Sequence, residues 1–111
     1  MIFITGPLFS GKREVARALL HCEEEDFSRL AVWNVEELAA GDEDLDTLAG
    51  RLAEQYPVVI ATEVGGGVVP IDPAQRRARE RAGRLACLLA QRADTVVRVF
   101  CGIPTVLKGR L

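Results

Sequence analysis

The residue types and spacing best suited to chemistry lie near the start of the chain, in the segment MIFITGPLFSGKREV. Gly6 and Gly11 flank four residues and Lys12 follows, which gives the pattern Gly-x4-Gly-Lys. In such a loop the glycines allow tight turning, successive N–H groups point at an anion, and the lysine reaches the terminal phosphates of a nucleotide. The residues predicted to bind phosphate are Gly6, Pro7, Leu8, Phe9, Ser10, Gly11, Lys12 and Arg13. Lys12 is also a predicted catalytic residue, because its charge would stabilise a phosphoryl group during transfer.

The loop lacks one part of the full motif. Its last position holds Arg13, where Ser or Thr would ligate magnesium through a hydroxyl group. The pattern therefore supports nucleotide binding better than phosphoryl transfer. The alternative interpretation is an ordinary strand-to-helix turn with an exposed lysine, which would also account for the bulky residues Pro7, Leu8 and Phe9.

A second candidate site follows the strand predicted for residues 58–62. Glu63 and Gly65 begin the glycine-rich segment EVGGGVVP, and ligands bind at the carboxyl edge of open parallel sheets. At that edge Glu63 could hold a metal, a metal-bound water or a hydroxyl, and it is the second predicted catalytic residue. An equally weighted alternative is a loop carboxylate that caps backbone N–H groups.

The other side chains capable of chemistry have structural interpretations that we favour. The single histidine, His21, follows a predicted helix, and a cation is favourable at a helix C-terminus. The acidic run at 42–44 could bind a divalent ion, but Asp44 is better explained as a helix N-cap, so no metal ligands are assigned. The three cysteines lack metal-ligand spacing and are predicted to be core thiols.

A helix is predicted for residues 73–92, with Asp72 as its N-cap and Pro73 as its first residue. Five arginines lie in its first half: Arg76, Arg77, Arg79, Arg81 and Arg84. Some could contact a nucleotide or substrate phosphate, some could pair with acidic side chains of another subunit, and the rest would be solvated. Nucleic-acid binding is not expected, because the net charge is −2 and aromatic residues are not interleaved with the arginines.

A scaffold of helices and strands must position these residues. Apolar periodicity predicts strands at 1–5, 30–35, 58–62 and 95–100, with helices at 12–22, about 45–55 and 73–92. The acidic run at 23–26 is predicted to be a solvated connection. The order β-α-β-α-β-α-β predicts one α/β domain over residues 1–111, with a mostly parallel sheet covered by helices.

The composition excludes several classes of protein. Hydrophobic residues make up 49% of the chain and aromatic residues only 5%, which suits helices layered on a sheet. No apolar run approaches the roughly 18 residues that a membrane span needs. The N-terminal apolar run is too short for a signal peptide, so we expect a cytoplasmic protein without a membrane partner.

Three segments, covering about half of the chain, together resemble one family. They are the loop at 6–12, the segment TEVGGGVVP at 62–70, and the segment that runs from RERAGRL at 79–85 through ADTV at 93–96 to Gly102 and Ile103. The middle segment is the most specific, because it is similar to the Asn-Glu-Val-Gly-x-Gly-Ile-Val-Pro of the adenosylcobinamide kinase/adenosylcobinamide-phosphate guanylyltransferase family of cobalamin biosynthesis.

The resemblance implies a P-loop NTPase-like three-layer fold and assembly as a homo-oligomer, a trimer in the familiar case. It also implies that ATP or GTP phosphorylates adenosylcobinamide, and that GMP is then transferred through a guanylylated histidine. The implied partners are thus a nucleotide, a cobinamide-type substrate and Mg²⁺, if another ligand replaces the absent hydroxyl. Gly6, Ser10, Gly11 and Lys12 would hold phosphate, and Glu63 and Gly65 would line the same pocket.

The chain also departs from the family pattern. It is shorter than the usual members between the first helix and the strand at 58–62, where the family carries its guanylyl-accepting histidine and another strand with an acidic exit. His21 lies too early to replace that histidine, and Pro7 and Ala86 replace a glycine and an asparagine. We therefore expect guanylyl transfer to be lost. Two functions remain: a kinase-like enzyme, or a catalytically degenerate module that binds a nucleotide or an anion and acts through assembly or a partner.

Overall fold

Five strands form one mixed sheet in the computed structural model, which describes residues 1–64 and 72–111. The strand order is β2-β3-β1-β4-β5. The first four strands are parallel, and β5 is antiparallel to β4. Their bounds are β1 Ile2–Gly6, β2 Ala31–Val32, β3 Val58–Thr62, β4 Thr95–Phe100 and β5 Ile103–Lys108.

Helices cover both faces of the sheet. They are α1 Lys12–Leu20, α2 Glu24–Leu30, a 3₁₀ helix at Val35–Ala40, α3 Leu45–Gln55 and α4 Pro73–Arg92. Because successive strand residues point to opposite faces, Phe3 packs with α3, α4 and the 3₁₀ helix while Ile4 packs with α1 and α2. The predicted fold class is confirmed: an α/β domain of the P-loop NTPase-like type with a mostly parallel sheet.

Two helix starts follow their predicted caps. The Asp44 carboxylate accepts a hydrogen bond from the backbone N–H of Thr47 at 3.0 Å, and this bond lowers the pKa of Asp44. The Asp72 carboxylate likewise accepts from the N–H of Ala74 at 2.9 Å, and Pro73 is the first helical residue. The acidic side chains at these two positions therefore satisfy backbone donors that the helices leave free.

The region between α1 and α3 differs from the prediction. The run at 23–26 is not a connection, because α2 begins at Glu24 and Phe27 is buried against the sheet. Carboxylates in a first helical turn are stabilised by the helix dipole. The predicted strand at 30–35 shrinks to Ala31–Val32, because Asn34 has a φ of 57° and turns the chain into the 3₁₀ helix.

The C-terminal segment also differs from the prediction, which placed no strand after residue 100. Cys101 and Gly102 have φ values of 52° and 75°, the left-handed pair that closes a tight β-hairpin. The chain therefore returns along β4 as β5. The prediction of core thiols is wrong for Cys87 and Cys101, which are exposed, and Cys22 is half-buried.

Within the described ranges, every helix is too short or too polar to cross a membrane.

Candidate functional site

The loop between β1 and α1 lies at the carboxyl edge of the sheet. A side chain at Gly6 would strike the backbone oxygen of Val99 and come within 2.8 Å of the Ser10 hydroxyl, so only glycine fits there. Gly11 has a φ of 91°, a backbone conformation that favours glycine. The Ser10 carbonyl accepts a hydrogen bond from the N–H of Gly102 at 2.7 Å, which ties the loop to the β4–β5 hairpin.

Lys12 begins α1 with its side chain folded into this loop. The residue is only 8% exposed, and its Nζ donates a hydrogen bond to the Pro7 carbonyl at 2.7 Å. Burial lowers the pKa of Lys12, against the opposing charges of Glu36, Glu63 and Glu14. The lysine is therefore not exposed as the alternative interpretation expects, because its side chain is buried and its ammonium group binds the loop's own backbone.

The lowered pKa of Lys12 predicts how pH affects anion binding. A bound phosphate favours the charged amine, so at alkaline pH binding should be accompanied by proton uptake. We expect GTP affinity to fall as pH rises, with the loss beginning below 10.5, the ordinary pKa from which that of Lys12 is lowered. Calorimetric titration in buffers of different ionisation enthalpy measures the proton uptake. Binding with no pH dependence across this range would contradict the prediction.

Arg13 lies beside a pair of stacked aromatic rings. Its guanidinium carbon is 4.4 Å from the centroid of the Trp33 ring and 5.7 Å from that of Phe27. The two rings are themselves stacked, with centroids 5.5 Å apart. Arg13, which stands where Ser or Thr usually ligates magnesium, therefore makes a cation–π contact.

Two cavities meet at the loop. One of about 470 Å³ is lined by the loop residues from Leu8 to Arg13, together with residues that include Trp33, Asn34 and Thr62. The other, of about 670 Å³, is lined by residues that include Glu36, Glu37, Glu63 and Arg79. Leu8 lines both cavities. The charged residues of the first are Lys12, Arg13 and Glu14, and those of the second are three glutamates and Arg79, so the first is net basic and the second net acidic.

Glu63 follows β3 as predicted, but its carboxylate has a specific partner. Arg98 Nε lies 2.6 Å from one carboxylate oxygen and Nη2 lies 3.0 Å from the other. The hydrogen bond to Glu63 raises the pKa of Arg98. The carboxylate thus binds a guanidinium, while the N–H of Glu63 donates to the Gly6 carbonyl at 2.8 Å. Gly65, predicted to line the phosphate pocket, lies outside the described residues.

Sequence reasoning missed two residues of this site. Arg98 is the single charged residue in the strand TVVRVF, and that interruption of an apolar run was the available signal. Glu36 accepts a hydrogen bond from the N–H of Thr62 at 2.7 Å and so connects the 3₁₀ helix to the end of β3. The carboxyl-edge argument that identified Glu63 would also have identified Glu36, which follows β2 closely.

Comparison with known proteins shows the family to which the chain belongs. The model of the family described as cobinamide kinase / cobinamide phosphate guanyltransferase, CobU, matches residues 28–107. The chain belongs to this family. The family predicted from the resemblance is thereby confirmed. Two of the three segments that carried the resemblance lie within the matched residues, whereas the loop at 6–12 precedes them.

A curated relative agrees with this CobU-family assignment. The bifunctional adenosylcobalamin biosynthesis protein CobP of Pseudomonas aeruginosa is 36% identical over 67 residues. These residues make up 60% of this chain and 36% of the relative. The match therefore spans about a third of the relative's length.

In this CobU-family chain Arg13 stands where a hydroxyl usually ligates magnesium, so the loop does not hold the ion in the usual way. No group of three or more His, Cys, Asp or Glu side chains in the described ranges could hold a metal. Residues 65–71 are Gly, Val, Pro and Ile only, so their side chains offer no ligand. The acidic run predicted to cap a helix does so, and Asp42 and Glu43 form ion pairs with Arg77 and Arg51.

Some arginines of α4 bind neighbouring segments of the CobU-family chain, and one lines its acidic cavity. Arg77 lies 3.1 Å from a carboxylate oxygen of Asp42. Arg81 donates to the backbone carbonyls of Ala39, at 2.7 Å, and of Glu43. These contacts fasten α4 to the segment between the 3₁₀ helix and α3. Arg79 instead lines the 670 Å³ cavity.

Proposed function

We propose that this protein binds ATP or GTP and transfers the terminal phosphoryl group to an alcohol of a cobinamide-type substrate. The observation that carries the proposal is the buried Lys12 inside a glycine-flanked loop, beside the cavity lined by Glu36 and Glu63. Membership of a family described as kinase and guanyltransferase supports a phosphotransferase.

The proposed reaction uses both cavities. The loop amides and Lys12 hold the phosphates and stabilise the charge of the transferring group. A substrate hydroxyl in the acidic cavity attacks the terminal phosphorus, and the bond from that phosphorus to the bridging oxygen breaks. Glu63 accepts a hydrogen bond from the attacking hydroxyl and orients it. The nucleoside diphosphate leaves, and the hydroxyl proton is released to solvent.

Guanylyl transfer is proposed to be lost. The single histidine, His21, is the C-cap of α1, while the phosphate loop is at the other end of that helix. With a rise of 1.5 Å per residue, His21 lies roughly 13 Å along the axis from Lys12. It is exposed and too distant to accept GMP from a nucleotide whose phosphates lie in the loop.

A second candidate is a module that binds a nucleotide without catalysis. Two contacts favour it: Arg13 lies on Trp33 where a metal ligand is usual, and Glu63 is paired with Arg98. A hydroxyl in place of Arg13 and a carboxylate at Glu63 without an ion-pair partner would both favour phosphoryl transfer. In this case the protein would act through its assembly or through a partner.

Incubation with cobinamide and terminally labelled ATP or GTP separates the two candidates. Transfer of label to cobinamide, detected by mass spectrometry, supports the kinase. Nucleotide binding with no labelled product supports the module. The absence of both binding and product contradicts both candidates. A parallel incubation with GTP labelled at the α-phosphate should leave the protein unlabelled, whereas covalent label would contradict the loss of guanylyl transfer.

We also propose a homo-oligomer, which the family resemblance implies, with β5 at the interface. This strand is an edge of the sheet and all six of its residues are exposed, among them Ile103, Val106 and Leu107. An exposed apolar edge strand readily pairs with another chain. Light scattering should give a mass above that of one chain, and Leu107→Lys should reduce it. A wild-type protein with the mass of one chain would contradict the proposal.

A further inference from the structure

The phosphate cavity contains two cationic side chains and an unused hydroxyl. Lys12 and Arg13 both line it, together with Ser10 and Trp33. Ser10 is only 4% exposed, and its hydroxyl has no hydrogen-bond partner among the described residues. A buried hydroxyl without a partner is costly, and this one belongs to a residue of the cavity wall.

Of the three carboxylates whose charges act on Lys12, Glu36 and Glu63 are committed to protein partners, whereas Glu14 lines the phosphate cavity. Glu36 accepts the Thr62 N–H, and Glu63 forms two hydrogen bonds with Arg98. A divalent ion at the loop would have to displace these contacts or take Glu14 as its carboxylate ligand. Arg13 cannot ligate a cation, because its guanidinium is positively charged and has no acceptor.

A triphosphate needs compensating positive charge. In the usual loop a magnesium ion supplies much of it. In this chain Arg13 carries a permanent positive charge at the position of the metal ligand, on the same cavity wall as Lys12. Guanidinium groups bind phosphate oxygens through paired hydrogen bonds, so the substitution replaces a metal ligand with a group that binds the phosphate itself.

We propose that this cavity binds the polyphosphate of a nucleotide without a divalent cation, and that Arg13 supplies the charge that the metal would otherwise bring. The proposal rests on the proposed function, in which the loop binds ATP or GTP. On binding, the guanidinium moves from the Trp33 ring to the phosphate. This exchange is favourable because a charge-assisted hydrogen bond is stronger than an exposed cation–π contact.

Trp33 makes the proposal directly testable, since it is the single tryptophan of the chain. Titration of the wild-type protein with GTP and with ATP, once with EDTA and once with Mg²⁺, follows its emission. We expect dissociation constants that agree within about threefold between the two conditions. Emission should change on saturation as Arg13 leaves the ring, and calorimetry on the same samples checks the affinities.

A matched pair of variants isolates the role of Arg13. Arg13→Ser restores the usual hydroxyl, and we expect its metal-free affinity to fall about tenfold or more and to recover with Mg²⁺. Arg29→Ser is the control, because Arg29 is exposed on α2 and pairs with Asp26 of the same helix. Circular dichroism verifies that both variants are folded.

The outcomes separate this inference from the proposed function. Wild-type binding that requires Mg²⁺ overturns the inference and leaves nucleotide binding intact. No binding in either condition overturns both. Unchanged metal-free affinity in Arg13→Ser overturns the inference even if the wild-type protein binds without metal, because the charge would then come from elsewhere.

Discussion

Replacing Lys12 with alanine is expected to lower the affinity for GTP and ATP by about 100-fold. A hydrogen bond to a charged group contributes about 1.5–3 kcal/mol, and each 1.4 kcal/mol corresponds to about tenfold in affinity. Lys12 is the buried cation of the loop, and its Nζ reaches the Pro7 carbonyl at 2.7 Å when no ligand is bound. A phosphate would take the place of that carbonyl. Isothermal titration of the variant and the wild-type protein measures the difference.

The same variant distinguishes a binding role from a structural one. Because burial lowers the pKa of Lys12, removing the charged amine relieves a cost to the folded protein and offsets part of the packing lost with the stem, so we expect only a small change in the melting temperature. Lys108→Ala is the control. Lys108 is the other lysine of the chain and pairs with Val96 near the start of β4, at the opposite end of the sheet from the loop. Equal affinity of Lys12→Ala and the wild-type protein would show that nucleotide does not bind in this loop.

The predicted elements that depend on local sequence are confirmed. The run at 58–62 forms β3 because its apolar, β-branched side chains are buried on both faces of a parallel sheet. The caps at Asp44 and Asp72 satisfy backbone donors within three residues of themselves. Such signals are complete within one short segment, so the sequence alone is enough to identify them.

One error arises where distant residues decide the structure, and another where a single residue adopts an unusual backbone conformation. β5 is exposed along its whole length and is held by pairing with β4. Buried and exposed residues therefore do not alternate along it, and its sequence lacks the pattern that predicts a strand. The 3₁₀ helix follows Asn34, whose backbone adopts the left-handed conformation. This turn ends the strand earlier than the apolar pattern predicts.

The candidate site shows the same division between local and distant signals. The glycines and Lys12 are recognisable from their spacing alone. The Glu63–Arg98 pair joins residues 35 positions apart, and the contact from Thr62 to Glu36 spans 26 positions. Spacing indicates that a carboxylate follows a strand, but the neighbour that it binds depends on strand order. Glu63 therefore remains a predicted catalytic residue with a partner that its sequence context did not reveal.

Truncation of Phe27 to alanine is expected to reduce the free energy of unfolding by about 3–5 kcal/mol, the usual cost of removing a buried aromatic side chain. Phe27 is 1% exposed and stacks on Trp33. It joins α2 to the core on the face of the sheet that α1 and α2 cover. Domains of this size are stable by about 5–15 kcal/mol, so the loss would be a large fraction of the total. Urea denaturation followed by circular dichroism measures it without relying on the fluorescence of Trp33, which the substitution itself perturbs.

Two further variants show whether burial or ring stacking accounts for the effect. Phe9→Ala removes a phenylalanine that is 94% exposed, and it should change stability by no more than about 0.5 kcal/mol. Phe27→Leu keeps most of the buried volume but abolishes the stack, so we expect a loss below about 1.5 kcal/mol. Because Arg13 lies over both rings, Phe27→Leu should also change the emission of Trp33 while leaving the fold intact. If Phe27→Ala were as stable as Phe9→Ala, α2 would not be anchored to the sheet by this side chain.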